Sequence, residues 1–175
     1  NIFDPETEKF EVLREKDLTG VRGSTIAPGY IDTVRQKAWF AAGKVQGTER
    51  WLDMYEMNLE TRECRRIIFR DGSRQLDKIW MYDEMVKPYK NGLLICDAEH
   101  GLFEVKENSL YADLVFPFKS IGWRMILKED RFLFMRGFGT VADHNISFEN
   151  INGKWIKIPH LLDTLKWDNI VYDKK

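Results

Sequence analysis

Four short segments of the chain share one pattern, in which two stretches of alternating apolar and polar residues flank a polar turn. They occupy residues 1–12, 52–67, 101–115 and 145–158. Alternation with a period of two is typical of a strand with one buried face, and two such stretches around a polar turn predict a β-hairpin. The copies recur at roughly the spacing of structural repeats. This recurrence predicts an all-β repeat architecture.

Two further apolar segments lie between successive hairpins. The second of each pair is short and almost wholly apolar, which is typical of a strand buried on both faces. These second segments are residues 37–43, 92–97 and 131–136. Together with the hairpin, the two segments make a unit of four strands, A to D, in which the hairpin supplies strands C and D. We therefore predict complete units over residues 25–67, 78–115 and 121–158.

The rhythm of these units resembles that of β-propellers, which arrange four-stranded sheets around a central channel. Residues 93–105 read Leu-Leu-Ile-Cys-Asp-Ala-Glu-His-Gly-Leu-Phe-Glu-Val. This phrase looks like the passage from an inner to an outer strand in NHL-type and strictosidine-synthase-like propellers. The signals of WD and kelch repeats are missing, so the resemblance is to the propeller class. It implies an array of four-stranded antiparallel blades, with three complete units and a partial one.

The number of strands does not determine whether this array closes into a ring. The chain begins with a C–D hairpin that lacks inner strands, and after a stretch with partial helical spacing at residues 159–166 it ends on a strand at residues 167–172. Either the chain is a piece of a larger propeller, which we favour, or it forms a closed four-bladed propeller. A lipocalin-like barrel is the alternative all-β fold. In each case residues 1–175 form a single domain or a segment of one.

The charge of the chain argues against partners that demand a strongly basic surface. Its formal net charge is −1, so we expect no binding to nucleic acid. No apolar run reaches membrane-spanning length. Cys64 and Cys96 are the only cysteines. Because they fall on different units, we expect free buried thiols rather than a disulfide, which leaves both a cytoplasmic and an exported location open.

Candidate ligand-binding residues follow from the order of the strands. In an antiparallel A-to-D unit, the B–C loop and the loop to the next unit emerge on one face, where loops can converge on a ligand. Polar residues are concentrated in these loops. The ligand-binding candidates are Lys44, Arg50, Trp51, Asp97, Glu99, His100, Asp143 and His144.

Two of these loops, at residues 97–100 and 143–144, combine carboxylates with imidazoles. Such groups together could bind a divalent metal, the only cofactor that the sequence suggests, or transfer protons. In a structural interpretation, Asp97 instead caps a turn, and His100 and His144 make ordinary hydrogen bonds at the starts of strands. We favour the structural interpretation, because neither set has the spacing of a tight ligand motif.

Two other features have both a binding and a structural interpretation. Trp51 lies beside the loop that ends at Arg50, where its ring could stack on a sugar or a peptide. The arginines at positions 62, 65, 66 and 70 could bind phosphate, but acidic residues are interspersed with them. We therefore expect these arginines to protect an outer edge strand from pairing with other strands.

The sequence contains no complete catalytic set, since it has neither a Gly-x-Ser-x-Gly turn nor a phosphate-binding glycine loop. We therefore predict a non-enzymatic binding or interaction module that recognises a protein, a peptide or a glycan on its loop face. The alternative is a metal-assisted hydrolase or lyase that uses the Asp/Glu/His cluster on the same face. A third hypothesis is self-association through unfinished strand edges.

Overall fold

A computed structural model describes most of the central part of the chain. The described residues are 2–4, 7–11, 25–46, 49–76, 79, 86–97, 99–119, 124–128, 130–135 and 146–158. All of the helices and strands assigned within these ranges are β-strands, which confirms the all-β class predicted from the sequence. The predicted strands at residues 78–83 and 167–172 and the predicted short helix at 159–166 lie outside these ranges, apart from Ile79.

Fourteen strands are assigned within the described residues. They are β1 (Ile2–Asp4), β2 (Lys9–Glu11), β3 (Thr25–Asp32), β4 (Lys37–Gln46), β5 (Glu49–Asn58), β6 (Cys64–Arg70), β7 (Val86–Tyr89), β8 (Gly92–Asp97), β9 (Gly101–Val105), β10 (Tyr111–Pro117), β11 (Arg124–Lys128), β12 (Arg131–Met135), β13 (Ile146–Ile151) and β14 (Lys154–Ile158).

Each of the four segments that share the hairpin pattern forms an antiparallel hairpin, namely β1–β2, β5–β6, β9–β10 and β13–β14. The last three hairpins continue meanders of four strands in chain order, β3–β6, β7–β10 and β11–β14. The turns of these hairpins impose backbone conformations with a positive φ. Between β13 and β14, for example, Asn152 has a φ of 53° and Gly153 a φ of 84°, as in the type I′ turns that match the twist of two adjoining strands.

The first two meanders join into one eight-stranded sheet. Its order is β3-β4-β5-β6-β10-β9-β8-β7, and the junction is a parallel pairing of β6 with β10, in which Ile68, Phe69 and Arg70 lie opposite Tyr111, Ala112 and Asp113. The two edge strands, β3 and β7, approach each other. The sheet is therefore mixed and nearly closed, as in a barrel. The described residues show the four-stranded units but not their arrangement as separate blades.

Alternation along β4 separates two faces of this sheet. Trp39 and Ala41 belong to the main core, whereas Ala38, Phe40 and Ala42 belong to a second buried cluster. Because successive side chains of a strand point to opposite sides, Trp39 and Ala41 join the part of the main core that lies on the inner face of the curved sheet. The second cluster lies on its outer face.

β8 is buried on both of its faces, as its apolar sequence predicts. Leu93 and Ile95 lie opposite Val105 and Phe103 in the register with β9, and none of the side chains from Leu93 to Cys96 is exposed. Leu94 and Cys96 point the other way, yet they belong to the same core as Phe148 and Trp155 of the small sheet. The small sheet, β11–β14, therefore covers the outer face of β8.

Aromatic contacts hold the two sheets together. The ring of Phe148 lies 4.3 Å from that of Phe116, and the ring of Trp155 lies 5.4 Å from that of Tyr89, measured between centroids. The hydroxyl of Tyr89 also donates a hydrogen bond to Oδ1 of Asp130 at 2.5 Å. Burial, together with this carboxylate, raises the pKa of Tyr89 above its usual range. Tyr89 therefore stays a neutral donor at physiological pH.

The prediction that the arginine-rich strand is an outer edge strand was wrong. This strand is β6, which has a hydrogen-bonded neighbour on each side. Its arginines form ion pairs along the sheet instead, with Arg66 2.7 Å from Asp53 and Arg70 2.6 Å from Asp113. The positive charges therefore match acidic residues on β5 and β10, and they favour the pairing that the sequence was expected to prevent.

Cys64 and Cys96 are free and buried, which confirms the absence of a disulfide. The part of the chain that the structure describes contains no helix with the length and apolar character needed to cross a lipid bilayer.

The parallel junction between β6 and β10 can be tested by cross-linking. Ile68 and Tyr111 are paired in its register, and adjacent strands lie about 4.8 Å apart, within the range that a disulfide bridges. We expect the double variant Ile68→Cys, Tyr111→Cys to form an intramolecular disulfide under mild oxidation, visible as a faster-migrating band on non-reducing gels. The single Ile68→Cys variant is the control. Failure of the double variant to cross-link in the folded protein would contradict the pairing.

Thiol reactivity tests the burial of the two native cysteines. Burial, and secondarily the nearby charge of Glu63, raises the pKa of the Cys64 thiol to about 11, and burial holds the pKa of Cys96 well above its ordinary value. Since the reactive species is the thiolate, we expect labelling by a disulfide reagent at pH 8 to be about 100-fold slower in the folded protein than in urea. Equal rates in the two states would refute this expectation.

The same pKa shift predicts how stability changes with pH. The folded pKa of Cys64 lies above the unfolded value of about 8.5, so the neutral thiol contributes its stabilisation fully below that pH. The contribution is lost as the pH rises toward 11. Urea midpoints should therefore fall more steeply between pH 8.5 and 10.5 in the wild type than in Cys64→Ala. Parallel pH curves for the two proteins would show that Cys64 does not contribute.

Candidate functional site

A cavity of about 290 Å³ opens at one end of the eight-stranded sheet, which we call the turn-end cavity. Strands β3, β7 and β9 all run toward this end of the sheet. The turns that follow them, β3–β4, β7–β8 and β9–β10, therefore lie there together. Polar and charged groups on the rim surround a partly apolar wall. The lining residues are Arg35, Lys37, Trp39, Glu56, Asn91, Gly92, Leu93, Val105, Lys106, Glu107 and Asn108.

The register of the sheet explains why distant residues share this cavity. Trp39 on β4 lies opposite Glu56 on β5, and Leu93 on β8 lies opposite Val105 on β9. Lys37 stands two residues before Trp39 and so points to the same face. Two antiparallel pairs from different halves of the sheet thus place their inward-facing residues in one wall.

Glu56 is the most deeply buried charge in this wall, with an exposed fraction of 5%. Its Oε2 accepts from Nζ of Lys37 at 3.1 Å, and its Oε1 accepts from an Nη of Arg65 at 2.6 Å. Both carboxylate oxygens therefore have a cationic donor, and such pairing offsets part of the cost of burying the group. Arg65 is the residue opposite Glu56 on β6.

A chain of hydrogen bonds joins the three turns around the rim. Arg35 donates to Oδ2 of Asp32 at 3.2 Å and to Oδ1 of Asn91 at 2.8 Å, and Asn91 donates to Oε2 of Glu107 at 3.0 Å. Asp32 and Arg35 belong to the β3–β4 hairpin, Asn91 to the β7–β8 turn and Glu107 to the β9–β10 turn. The chain spans the gap between the edge strands β3 and β7.

Trp39 gives the wall its aromatic character. Its ring stacks on Tyr30, with centroids 6.0 Å apart and planes inclined by 14°. The side chain is 5% exposed, and its indole Nε1 is buried without a hydrogen-bond acceptor among the described residues. A buried donor without an acceptor costs roughly 1–3 kcal/mol.

The residues Lys106 and Asn108 are the uncommitted polar groups of the rim. Both are exposed, and neither side chain has an ion pair or hydrogen bond within the part of the chain that the structure describes. Asn108 has a φ of 58°, a left-handed conformation that asparagine tolerates better than most residues. The β9–β10 turn thus holds these two groups over the cavity.

The predicted carboxylate–histidine set at residues 97–100 lies at the opposite end of β8. Asp97 is fully buried, and its Oδ1 accepts from the backbone N–H groups of Glu99 and His100 at 3.0 and 2.7 Å. The Nδ1 of His100 lies 2.6 Å from the same oxygen. Since Asp97 comes four residues after Leu93, this set is about 13 Å from the cavity wall along the strand.

Two other turns share the geometry of Asp97. Oδ1 of Asp71 accepts from the N–H groups two and three residues further on, and so does Oδ1 of Asn58. The bonds from Ser73 and Arg74 hold the pKa of Asp71 well below its usual range. Neither of these turns contains a histidine, so the backbone bonds of Asp97 are those of an ordinary turn cap. The turn-cap interpretation is therefore confirmed for Asp97.

The other site candidates are only partly described. Lys44 lies opposite Trp51, and Val45 opposite Arg50, in the register of β4 and β5, so the structure brings this backbone together but does not describe these side chains. Asp143 and His144 lie outside the described residues. Glu99 is exposed and lies 3.8 Å from Lys119. Among the described residues, no group of three or more His, Cys, Asp or Glu side chains could hold a metal ion.

Sequence reasoning missed the rim residues because it selected the other end of the strands. The B–C loops are rich in polar residues and were therefore chosen as the predicted site. The A–B and C–D connections are tight turns, which offered fewer candidates. The available signal was modest: Asn91 and Asn108 are residues that favour turns, and each is close to a lysine in the sequence.

Within the described residues, fold and site together define an all-β protein with a nearly closed, mixed eight-stranded sheet and a polar cavity at one end. No family model, no curated protein and no solved structure matches the chain.

Removing the charge of Glu56 tests the network in the cavity wall. We expect Glu56→Gln to lower the free energy of unfolding by about 1–3 kcal/mol, since Lys37 and Arg65 lose their common counterion. Glu149→Gln is the matched control, because Glu149 pairs with Arg131 at 3.0 Å in a more exposed position and should cost less than about 1 kcal/mol. Urea unfolding measures both, and equal losses would contradict the role of burial.

Proposed function

We propose that this protein is a non-enzymatic binding module that holds a small polar unit of a peptide or a glycan in the turn-end cavity. The observation that carries the proposal is the cavity's construction, in which a polar rim joins three turns above a partly apolar wall. Small-ligand sites combine such walls with a few fixed polar groups. The volume of about 290 Å³ lies at the small end of such sites, so it suits a single sugar or side chain rather than a long segment.

The rim is pre-organised, and this favours a role in binding. Arg35 and Asn91 are already fixed by hydrogen bonds to each other and to Asp32 and Glu107. A ligand that meets fixed groups loses less affinity to the ordering of side chains than one that must arrange flexible ones. Because Lys106 and Asn108 have no side-chain partner in the described ranges, the rim also keeps polar groups available for a ligand.

The opposite end of the sheet is the site that the sequence suggested for a protein, peptide or glycan, or for metal-assisted catalysis. The catalytic hypothesis needs the carboxylate–histidine sets at residues 97–100 and 143–144 to lie close together. Oδ1 of Asp97 accepts from two backbone N–H groups of its turn and lies 2.6 Å from Nδ1 of His100, which reduces what this oxygen can offer to a metal or a substrate. We therefore place the binding function at the turn-end cavity.

We also propose that the three meanders are copies of one four-stranded module of the propeller kind. The support is that β3–β6, β7–β10 and β11–β14 each follow the same antiparallel order and that each ends in the recurring hairpin. On this proposal, parallel pairing through β6 and β10 fuses two modules into one sheet, while the third packs against them as a separate sheet.

Substitution of the rim arginine tests the binding function. We expect the wild type to retain members of an immobilised panel of short peptides and oligosaccharides, and Arg35→Ala to weaken that binding about tenfold, since the rim loses charge-assisted bonds. Arg131→Ala is the control, because Arg131 is also an ion-paired surface arginine but belongs to the small sheet.

Two outcomes would contradict the proposal. One is that no member of either panel binds the folded protein. The other is that Arg131→Ala weakens binding as much as Arg35→Ala does, which would place the ligand elsewhere. Thermal unfolding of both variants shows whether a loss of binding reflects a loss of folding.

A further inference from the structure

The hydrogen-bonding capacity of the turn-end cavity is unevenly distributed between acceptors and donors. Both oxygens of Glu56 accept from cations, Oδ1 of Asn91 accepts from Arg35, and Oε2 of Glu107 accepts from Asn91. Most of the strong acceptors in the lining are thus already used within the protein. The exceptions are one carboxylate oxygen of Glu107 and the amide oxygen of Asn108.

The donors of the cavity are largely unused. Lys106 has three N–H bonds and no partner within the described part of the chain, and the side-chain amide of Asn108 has none either. Lys37 gives one of its N–H bonds to Glu56 and keeps two. The indole N–H of Trp39 also lacks an acceptor among the described residues, but its nitrogen is buried in the wall. A ligand that completes this site must therefore supply acceptors.

The charges of the lining set the charge of that ligand. Arg35, Lys37 and Lys106 are positive, and Glu56 and Glu107 are negative, so the lining carries one net positive charge. Arg35 and Lys37 each have a carboxylate partner, at 3.2 and 3.1 Å. Lys106 is the lining cation that has no carboxylate partner among the described residues, so a single negative charge on the ligand balances the site.

We propose that the turn-end cavity selects a ligand that carries a carboxylate, with Lys106 as its counterion and Asn108 as a second donor. This proposal rests on the proposed binding function and names the ligand class of the same site. The remainder of the ligand packs against the wall formed by Trp39, Leu93 and Val105. The carboxylate of an acidic sugar and that of an acidic amino acid share this chemistry.

A phosphate monoester fits the site less well than a carboxylate. Near neutral pH it carries up to two negative charges, whereas, as far as the structure describes the chain, one lining cation has no carboxylate partner. The second charge would lie beside Glu107 and the buried Glu56, and desolvating an unpaired charge is costly. The site should therefore discriminate between a monoanion and a dianion.

Pairs of probes that differ only in charge test this proposal. The probes are glucuronate against glucose, and N-acetylglutamate against N-acetylglutamine, with inorganic phosphate as the dianion. Binding to the full chain is followed by calorimetry and by amide chemical shifts in heteronuclear NMR. We expect at least one acid to bind about tenfold or more tightly than its neutral counterpart, as a charge-assisted bond implies, and to shift the amides of Lys106 and Asn108.

A matched pair of lysine variants locates the effect. Lys106→Gln should remove the advantage of the acid over its neutral counterpart, whereas Lys154→Gln should leave it unchanged. Lys154 is also an exposed lysine, but it begins β14 in the small sheet. Since both positions are exposed, neither substitution should alter the unfolding temperature, and that measurement is made alongside.

The outcomes separate this inference from the proposed function. If a neutral probe binds as tightly as its acid and shifts the same amides, the cavity binds ligands but does not select carboxylates, and the inference fails alone. Tighter binding of phosphate than of either acid also overturns it. If no probe binds while the peptide and glycan panels do, the carboxylate is wrong and the binding function stands. If neither probes nor panels bind, both proposals fail.

Discussion

The parallel pairing of β6 with β10 determines the arrangement of the large sheet. It joins the last strand of one antiparallel meander to the last strand of the other, through three paired residues on each side. Phe69 and Ala112 place apolar side chains on the inner face of this junction, while Arg70 and Asp113 form an ion pair on the outer face. Without the junction, the inward residues of β4 and β8 would belong to separate sheets, and the wall of the cavity would not exist.

Because β6 and β10 pair in parallel, corresponding strands of the two meanders run in the same direction. Because β3 and β7 occupy the same place in their respective meanders, they run in the same sense at the two edges of the sheet. Their following turns then meet at one end, where Arg35 reaches Asn91. The position of the cavity is thus a consequence of strand direction, and its chemistry is a consequence of the residues that happen to occupy the turns.

Period-two alternation made the strands and hairpins predictable, since it is a local property of the sequence. The unbroken apolar run of β8 likewise indicated a strand buried on both faces, and the position of Asp97 at the end of that strand indicated a turn cap. These local signals could not indicate which units share a sheet, because parallel pairing between residues 68–70 and 111–113 depends on side chains more than forty positions apart. The arginines of β6 were misinterpreted for this reason. The rim of the cavity was missed because polar loops at the other end of the strands were selected, and because Arg35 and Lys106 line one cavity only once both meanders share a sheet.

The gap between β3 and β7 gives the sheet a seam. Each of these edge strands contains a proline, Pro28 or Pro88, which has no amide hydrogen to offer a neighbouring strand. The seam is therefore held by side chains, chiefly by Arg35 and Asn91, rather than by a ladder of backbone hydrogen bonds. Local opening of a native protein begins where such ladders are missing. Because Arg35 and Asn91 also line the cavity, the mouth of the site can widen along the seam without the loss of a backbone hydrogen-bond ladder.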